Sequence, residues 1–116
     1  MIKRIAFRHM QKSDVMEKYA NDQLAKIEHF LENEASPVYL DLIFEPSKVH
    51  SHHRVELHVK SPNYDIVSHY EHEGMDFYDV LDRVIDVMYR ELHEHKERIK
   101  DDKKMVGRHE EFKKQR

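Results

Sequence analysis

Cysteine is absent from the 116 residues, and only 2 glycines and 3 prolines are present. Without cysteine the chain has no disulfide, no thiolate metal ligand and no cysteine nucleophile. Two glycines cannot build a glycine-rich phosphate loop. No apolar run approaches the 18 or so residues a membrane-spanning helix needs. The N-terminus, MIKRIAFRHMQKSD, starts basic but lacks the apolar stretch of a signal peptide. A cytoplasmic location with no membrane contact is the expectation. Excess positive charge is missing too. The formal net charge is −3, which argues against coating nucleic acid by bulk charge and requires any RNA-binding surface to be a local concentration of cations.

What is present fits one domain. Hydrophobic residues make up 39% and charged residues 37%, enough for a modest core under a very polar exterior. A chain of this length buries only about two-thirds of its unfolded surface. The 11 histidines are unusual, and they add positive charge as pH falls below about 6.5.

Periodicity gives the element order. Ile5 and Phe7 alternate within residues 3–9 and predict a first strand. Ser13 and Asp14 offer helix-capping oxygens, although Met16 leaves the capping box incomplete. Met16, Tyr19, Ala20, Leu24, Ile27, Phe30 and Leu31 then recur at steps of three and four, an amphipathic helix closed by Ser36-Pro37. Val38, Leu40, Leu42 and Phe44 alternate as a second strand. Residues 46–53 are turn-like. Val55, Leu57 and Val59 give a third strand, and Ser61-Pro62-Asn63 a turn. Residues 64–70 give a fourth strand, pairing with the third as a hairpin.

After Gly74, Asp76 is a plausible cap for a long helix over residues 77–100, lined by Phe77, Leu81, Val84, Met88, Leu92 and Ile99. Residues 101–116 are charged, contain Gly107 and lack apolar periodicity, so they read as a mobile tail. The expectation is an α+β domain over residues 1–100, ordered β-α-β-β-β-α, with a four-stranded sheet and both helices on one face.

The second helix changes character along its polar side. Asp79, Asp82 and Asp86 come first, then Arg90, His93, Lys96 and Lys100, with Arg83 one heptad before Arg90. Acids near a helix start and bases near its end complement the macrodipole by a few tenths of a kcal/mol each. Gathered cations also suit a phosphate backbone. From the residues alone both accounts stand. The first helix adds Lys18, Lys26 and His29 on an outward stripe with Asp22 between them, where partial ion pairing on a solvated face is the simpler account. Arg8 on the first strand could join either surface.

Histidines 50, 52, 53, 58, 69 and 72 cluster around the third and fourth strands. A zinc site needs ligands in fixed geometry, whereas His50 to His53 fall in a loop and His58 on the polar phase of its strand, so solvated histidines are expected and no metal. His93-Glu94-His95 lacks the second histidine of HExxH. The aromatic residues mostly fit core phases and do not suggest a base-stacking platform. Carboxylates accompany no nucleophile, so no enzyme, cofactor or small-molecule substrate is expected.

Three stretches then resemble one family. Ser13-Asp-Val-Met with Lys18-Tyr19 and AKIEHF (residues 25–30) is similar to the opening helix of the ribosome hibernation promoting factors, which include ribosome-associated inhibitor A and were formerly known as sigma-factor modulation proteins. VYLDLIF (residues 38–44) is similar to their second strand. EGMDFYDVLDRVIDVMYRELHEHKERIK (residues 73–100) is similar to their acidic-aromatic helix start and arginine-then-lysine helix end. The resemblance spans residues 2–100. It implies a fold related in shape to double-stranded RNA-binding domains. It also implies binding to the small ribosomal subunit at the decoding region, where 16S rRNA lies, and inhibition of translation by blocking mRNA and tRNA. By matching position, the residues implied to bind rRNA are Lys18, Lys26, Arg83, Arg90, His93, Lys96, Arg98 and Lys100. Relatives often carry lysine just after the Asp86 position, where this chain has Val87 and Met88. Long members continue into a domain that pairs ribosomes. Here only residues 101–116 follow, so a short form is expected, monomeric away from the ribosome, with Lys103, Lys104, Arg108, Lys113, Lys114 and Arg116 available to RNA. A general double-stranded RNA-binding module is the alternative, and a histidine-based metal-binding protein a third.

Overall fold

The computed structural model describes residues 1–46 and 52–114, with side chains given as far as residue 101. Its elements are β1 (Ile2–Phe7), α1 (Asp14–Phe30), β2 (Tyr39–Pro46), β3 (His53–Lys60), β4 (Asp65–Glu71) and α2 (Phe77–Lys114). The β-α-β-β-β-α order expected from periodicity is the order found. The sheet runs β1-β2-β3-β4, with β1 and β2 parallel and the other neighbours antiparallel. A parallel pair needs a crossover long enough to return the chain, and α1 is that crossover.

Alternation decides which face of the sheet is covered. The register aligns Ile5, Leu42, Leu57 and Ser68 across the four strands, and likewise Phe7, Phe44, Val55 and Tyr70. These rows face the helices: Leu42, Phe44, Val55 and Leu57 are fully buried, in one cluster with Ala20, Leu24 and Ile27 of α1 and Leu81, Val84, Met88 and Leu92 of α2. Among the described residues Ser68 is the one buried polar side chain. Its hydroxyl donates to the Val84 carbonyl at 3.3 Å, so the desolvation cost of a buried hydroxyl is offset by a bond to the helix above it.

The helix ends follow local chemistry. Ser13 is the N-cap of α1, its hydroxyl accepting from the Met16 backbone amide at 3.2 Å. Asp76 caps α2, accepting from the Asp79 amide at 2.9 Å. Gly74 just before it has φ +79°, a region costly to residues with a Cβ. The turn between β3 and β4 is anchored from outside, since Glu34 Oε1 accepts from the Ser61 hydroxyl at 3.0 Å and the Asn63 amide at 3.1 Å.

Three expectations need correction. The second helix does not stop at residue 100 but continues to Lys114. Apolar periodicity ends where the sheet ends, whereas helix formation needs only residues of good propensity, and lysine, glutamate, methionine and arginine supply it. The apolar stripe is also wider than expected, because Val80 and Ile85 are buried beside Leu81 and Val84. The fourth strand begins at Asp65 rather than residue 64, and Tyr64 instead enters the core. The turn expected over residues 46–53 falls mostly outside the described residues, as do His50 and the side chains of the tail cations.

Candidate nucleic-acid interface

All eight cations named from the sequence, Lys18, Lys26, Arg83, Arg90, His93, Lys96, Arg98 and Lys100, are exposed. They do not form one patch. At about 100° per residue, positions 89, 93, 96 and 100 share one flank of α2, and side-chain contacts identify that flank as the one against α1. Phe30 of α1 lies 4.7 Å from the His93 ring and 6.2 Å from the Tyr89 ring, and the Lys96 ammonium sits 5.5 Å from the Phe30 ring centre. Lys26 reaches over from α1, 4.2 Å from the Tyr89 ring centre. The fold therefore gathers Lys26, His93 and Lys96 along the α1–α2 seam, with Lys100 one turn further on the same flank of α2 and Arg90 on the outward side.

The other three stand apart. The Arg83 guanidinium lies 5.5 Å from the Tyr70 ring centre, on the flank towards β4. Arg98, two residues from Lys96, points about 200° away from it. Lys18 lies on the outward side of α1, opposite buried Met16 and Ala20. Lys26 and Lys18 thus diverge, although the sequence places them on one stripe.

Pairing distinguishes the basic residues of the molecule. On the uncovered sheet face Arg4 binds both oxygens of Asp41 at 2.9 and 2.7 Å. Arg54 binds Glu45 at 2.8 Å and Glu56 at 3.2 Å. His58 meets Asp65 at 2.6 Å, and the bond from His58 is the main reason the Asp65 carboxyl is held below its ordinary value. His58 is therefore a cross-strand partner rather than a merely solvated histidine. His53 stacks on Phe77 at 4.0 Å. Among the described residues no cluster of three or more metal-ligating side chains occurs.

On the helical side Lys3 pairs with Glu28 at 2.8 Å and Lys12 with Glu17 at 3.0 Å, but most of the eight residues named from the sequence have no such partner. Among the described residues, no carboxylate lies within ion-pair distance of Lys18, Arg83, Arg90, His93, Lys96 or Arg98. Lys26 has a long contact with Asp86 at 3.6 Å, and Lys100 one with Glu97 at 3.9 Å. The acids of the first half of α2 serve the helix pair: Asp82 accepts from Tyr19 and Asp86 faces Lys26. In the second half Arg90, Lys96 and Arg98 have no carboxylate within ion-pair distance among the described residues, and Lys100 has only the long contact with Glu97.

The sequence profile of the Sigma 54 modulation protein / S30EA ribosomal protein family matches residues 4–100 of this chain. The chain belongs to that family, the ribosome hibernation promoting factors. Two solved structures share the fold. The Protein Y N-terminal domain of Thermus thermophilus superposes with TM-score 0.62 at 18% identity, covering 78% of this chain and 91% of that one. A ribosomal subunit interface protein from Coxiella burnetii superposes with TM-score 0.64 at 18% identity, covering 83% and 98%. No curated protein matches the chain. The hibernation-factor fold thus carries, in this member, the exposed and unpaired Arg90, Lys96 and Arg98 on α2 close to a seam of aromatic rings. Those rings were missed in the sequence because Phe30 and Tyr89 border the apolar stripes, and bordering positions look like core until the crossing of the two helices is known.

Proposed function

We propose that this hibernation factor binds the small ribosomal subunit at the decoding region through 16S rRNA phosphates, and silences translation by occupying the path of mRNA and tRNA. The reaction has no chemical step. The observation that carries this reading is the set of exposed cations on the second half of α2, Arg90, Lys96 and Arg98, without carboxylate partners among the described residues while Arg4 and Arg54 on the sheet face are neutralised. An unpaired exposed cation retains its full charge for phosphate, and phosphate contacts supply most RNA affinity. Family membership supports the ribosome as the target. Such a protein works in the cytoplasm, and no helix among the described residues is long and apolar enough to cross a membrane.

Co-sedimentation with purified small subunits across a salt series tests this. About four phosphate contacts give a log–log salt slope of about −3. Binding that is absent at low salt, or indifferent to salt, overturns the phosphate mechanism. Excess duplex RNA should fail to displace the protein. Displacement would instead favour a general double-stranded RNA-binding module.

A further inference from the structure

Three rings meet on the α1–α2 seam: Phe30, Tyr89 and His93. Their centroids are 4.7 Å apart for Phe30–His93, 4.5 Å for Tyr89–His93 and 6.2 Å for Phe30–Tyr89, with interplanar angles of 66°, 70° and 72°. Phe30 and Tyr89 are half-buried, and His93 is exposed. The two inner rings hold the imidazole by edge-to-face contacts, the geometry favoured by the ring quadrupoles, so an exposed side chain is fixed rather than free. Lys26 and Lys96 flank the rings, at 4.2 Å from the Tyr89 centre and 5.5 Å from the Phe30 centre.

Core packing accounts for the inner part of this cluster, since Phe30 and Tyr89 pack against the hydrophobic core. It does not require an immobilised imidazole on the outside, nor two ammonium groups on the supporting rings. A braced exposed ring whose two supporting rings each carry a lysine ammonium has the chemistry of a single-stranded nucleic-acid subsite: bases stack on aromatic faces while neighbouring phosphates meet positive charge. Protein partners with acidic side chains would use the lysines but leave the ring arrangement without a role.

We infer that His93, braced by Phe30 and Tyr89, is a stacking platform for one unpaired RNA base, with Lys26 and Lys96 taking the neighbouring phosphates. This rests on the RNA-binding reading above and adds a base contact to it. Lys26 also lies 3.6 Å from Asp86, so the phosphate has to replace that carboxylate as its partner.

The test uses the full chain and a short oligouridylate carrying one central 2-aminopurine, whose fluorescence is quenched when the base stacks. Saturable quenching is expected. His93→Ala should weaken binding by roughly fivefold to a hundredfold, the range for loss of one base stack, and His93→Phe should restore both binding and quenching. Replacing the 2-aminopurine by an abasic site should cost as much as His93→Ala, and the two losses should not add. A cooperative melting transition well above the assay temperature for each variant excludes unfolding as the cause, although His93→Ala loses the two ring contacts and melts somewhat earlier. No quenching at saturating protein overturns the platform, as does His93→Phe binding as weakly as His93→Ala. So does an equal loss of intact and abasic oligonucleotide, which leaves phosphate contact alone. A normal salt slope on small subunits in any of those cases leaves the ribosome-binding reading standing while the base subsite fails.

Discussion

The Tyr19 hydroxyl of α1 donates a 2.7 Å hydrogen bond to Asp82 Oδ1 of α2, joining the two helices across 63 positions of sequence. The Tyr19 ring also packs edge-on against Tyr78, 4.8 Å between centroids at 75°. These contacts fix how α1 lies along α2, and so fix the seam in which Lys26, His93 and Lys96 meet. Hydrogen bonds to charged groups contribute about 1.5–3 kcal/mol. Tyr19→Phe, which keeps the ring, should lower stability by about that much in urea titration. A loss under about 0.5 kcal/mol would show that the bond does not hold the helices.

The same bond makes the fold sensitive to alkali. Hydrogen bonding to Asp82, then burial and the charge of Asp82, push the Tyr19 hydroxyl up from its ordinary 10.0 to about 12. A folded-state value above the unfolded one means that the folded chain holds this proton more tightly. The contribution is therefore complete below about pH 10 and is lost as pH rises through 10 towards 12. Burial pushes the Tyr64 hydroxyl up as well, so the ultraviolet titration that identifies Tyr19 is the one in which Asp82→Asn brings a late-ionising tyrosine earlier. Simultaneous ionisation of all tyrosines in the native protein would refute the assignment.

Much of this architecture is readable from residue patterns, and the exceptions share a physical cause. Alternation at Leu40, Leu42 and Phe44, and at Val55, Leu57 and Val59, marks the core rows because side-chain direction in a strand has period two. The stripe at Leu81, Val84, Met88 and Leu92 does the same at the helical period. What alternation cannot give is where elements cross. Phe30 meets His93 only because α1 crosses α2 there, and His58 meets Asp65 only through the hairpin register of β3 and β4. Likewise the family resemblance supplies eight cations without dividing them, whereas the contacts of Arg83 with Tyr70 and Lys96 with Phe30 place them on different flanks.

Leu92 is fully buried between α2 and the sheet. Truncation there removes its transfer free energy and leaves a cavity, so Leu92→Ala should destabilise by about 2–5 kcal/mol. Chemical denaturation should show a lower midpoint with an unchanged slope. A loss below 1 kcal/mol would mean that the neighbouring turns collapse into the space.

Gly74 has φ +79°, and a Cβ added to it would meet nothing within 4 Å. Its cost on substitution is thus conformational rather than steric crowding by neighbours. Gly74→Ala should destabilise by about 1–2 kcal/mol, by straining the approach to the Asp76 cap. If Gly74→Ala is neutral in thermal melts, the segment relaxes to a negative φ without disturbing α2.

Lys96 and Lys100 are exposed on one flank of α2, so reversing both leaves the core untouched. Phosphate-contacting cations each contribute about one unit of salt slope. Lys96→Glu with Lys100→Glu should therefore flatten the salt dependence of small-subunit binding by about two units, and weaken binding further because the new carboxylates repel phosphate. Lys60→Glu is the control, since Lys60 is exposed on the sheet side, at the end of β3. It makes the same single charge change as Lys96→Glu does alone. If Lys60→Glu weakens binding as much as Lys96→Glu, net charge rather than the helix seam governs association. If the double variant binds normally at every salt concentration, the RNA lies elsewhere, and Arg83 with Tyr70 on the β4 flank becomes the surface to alter.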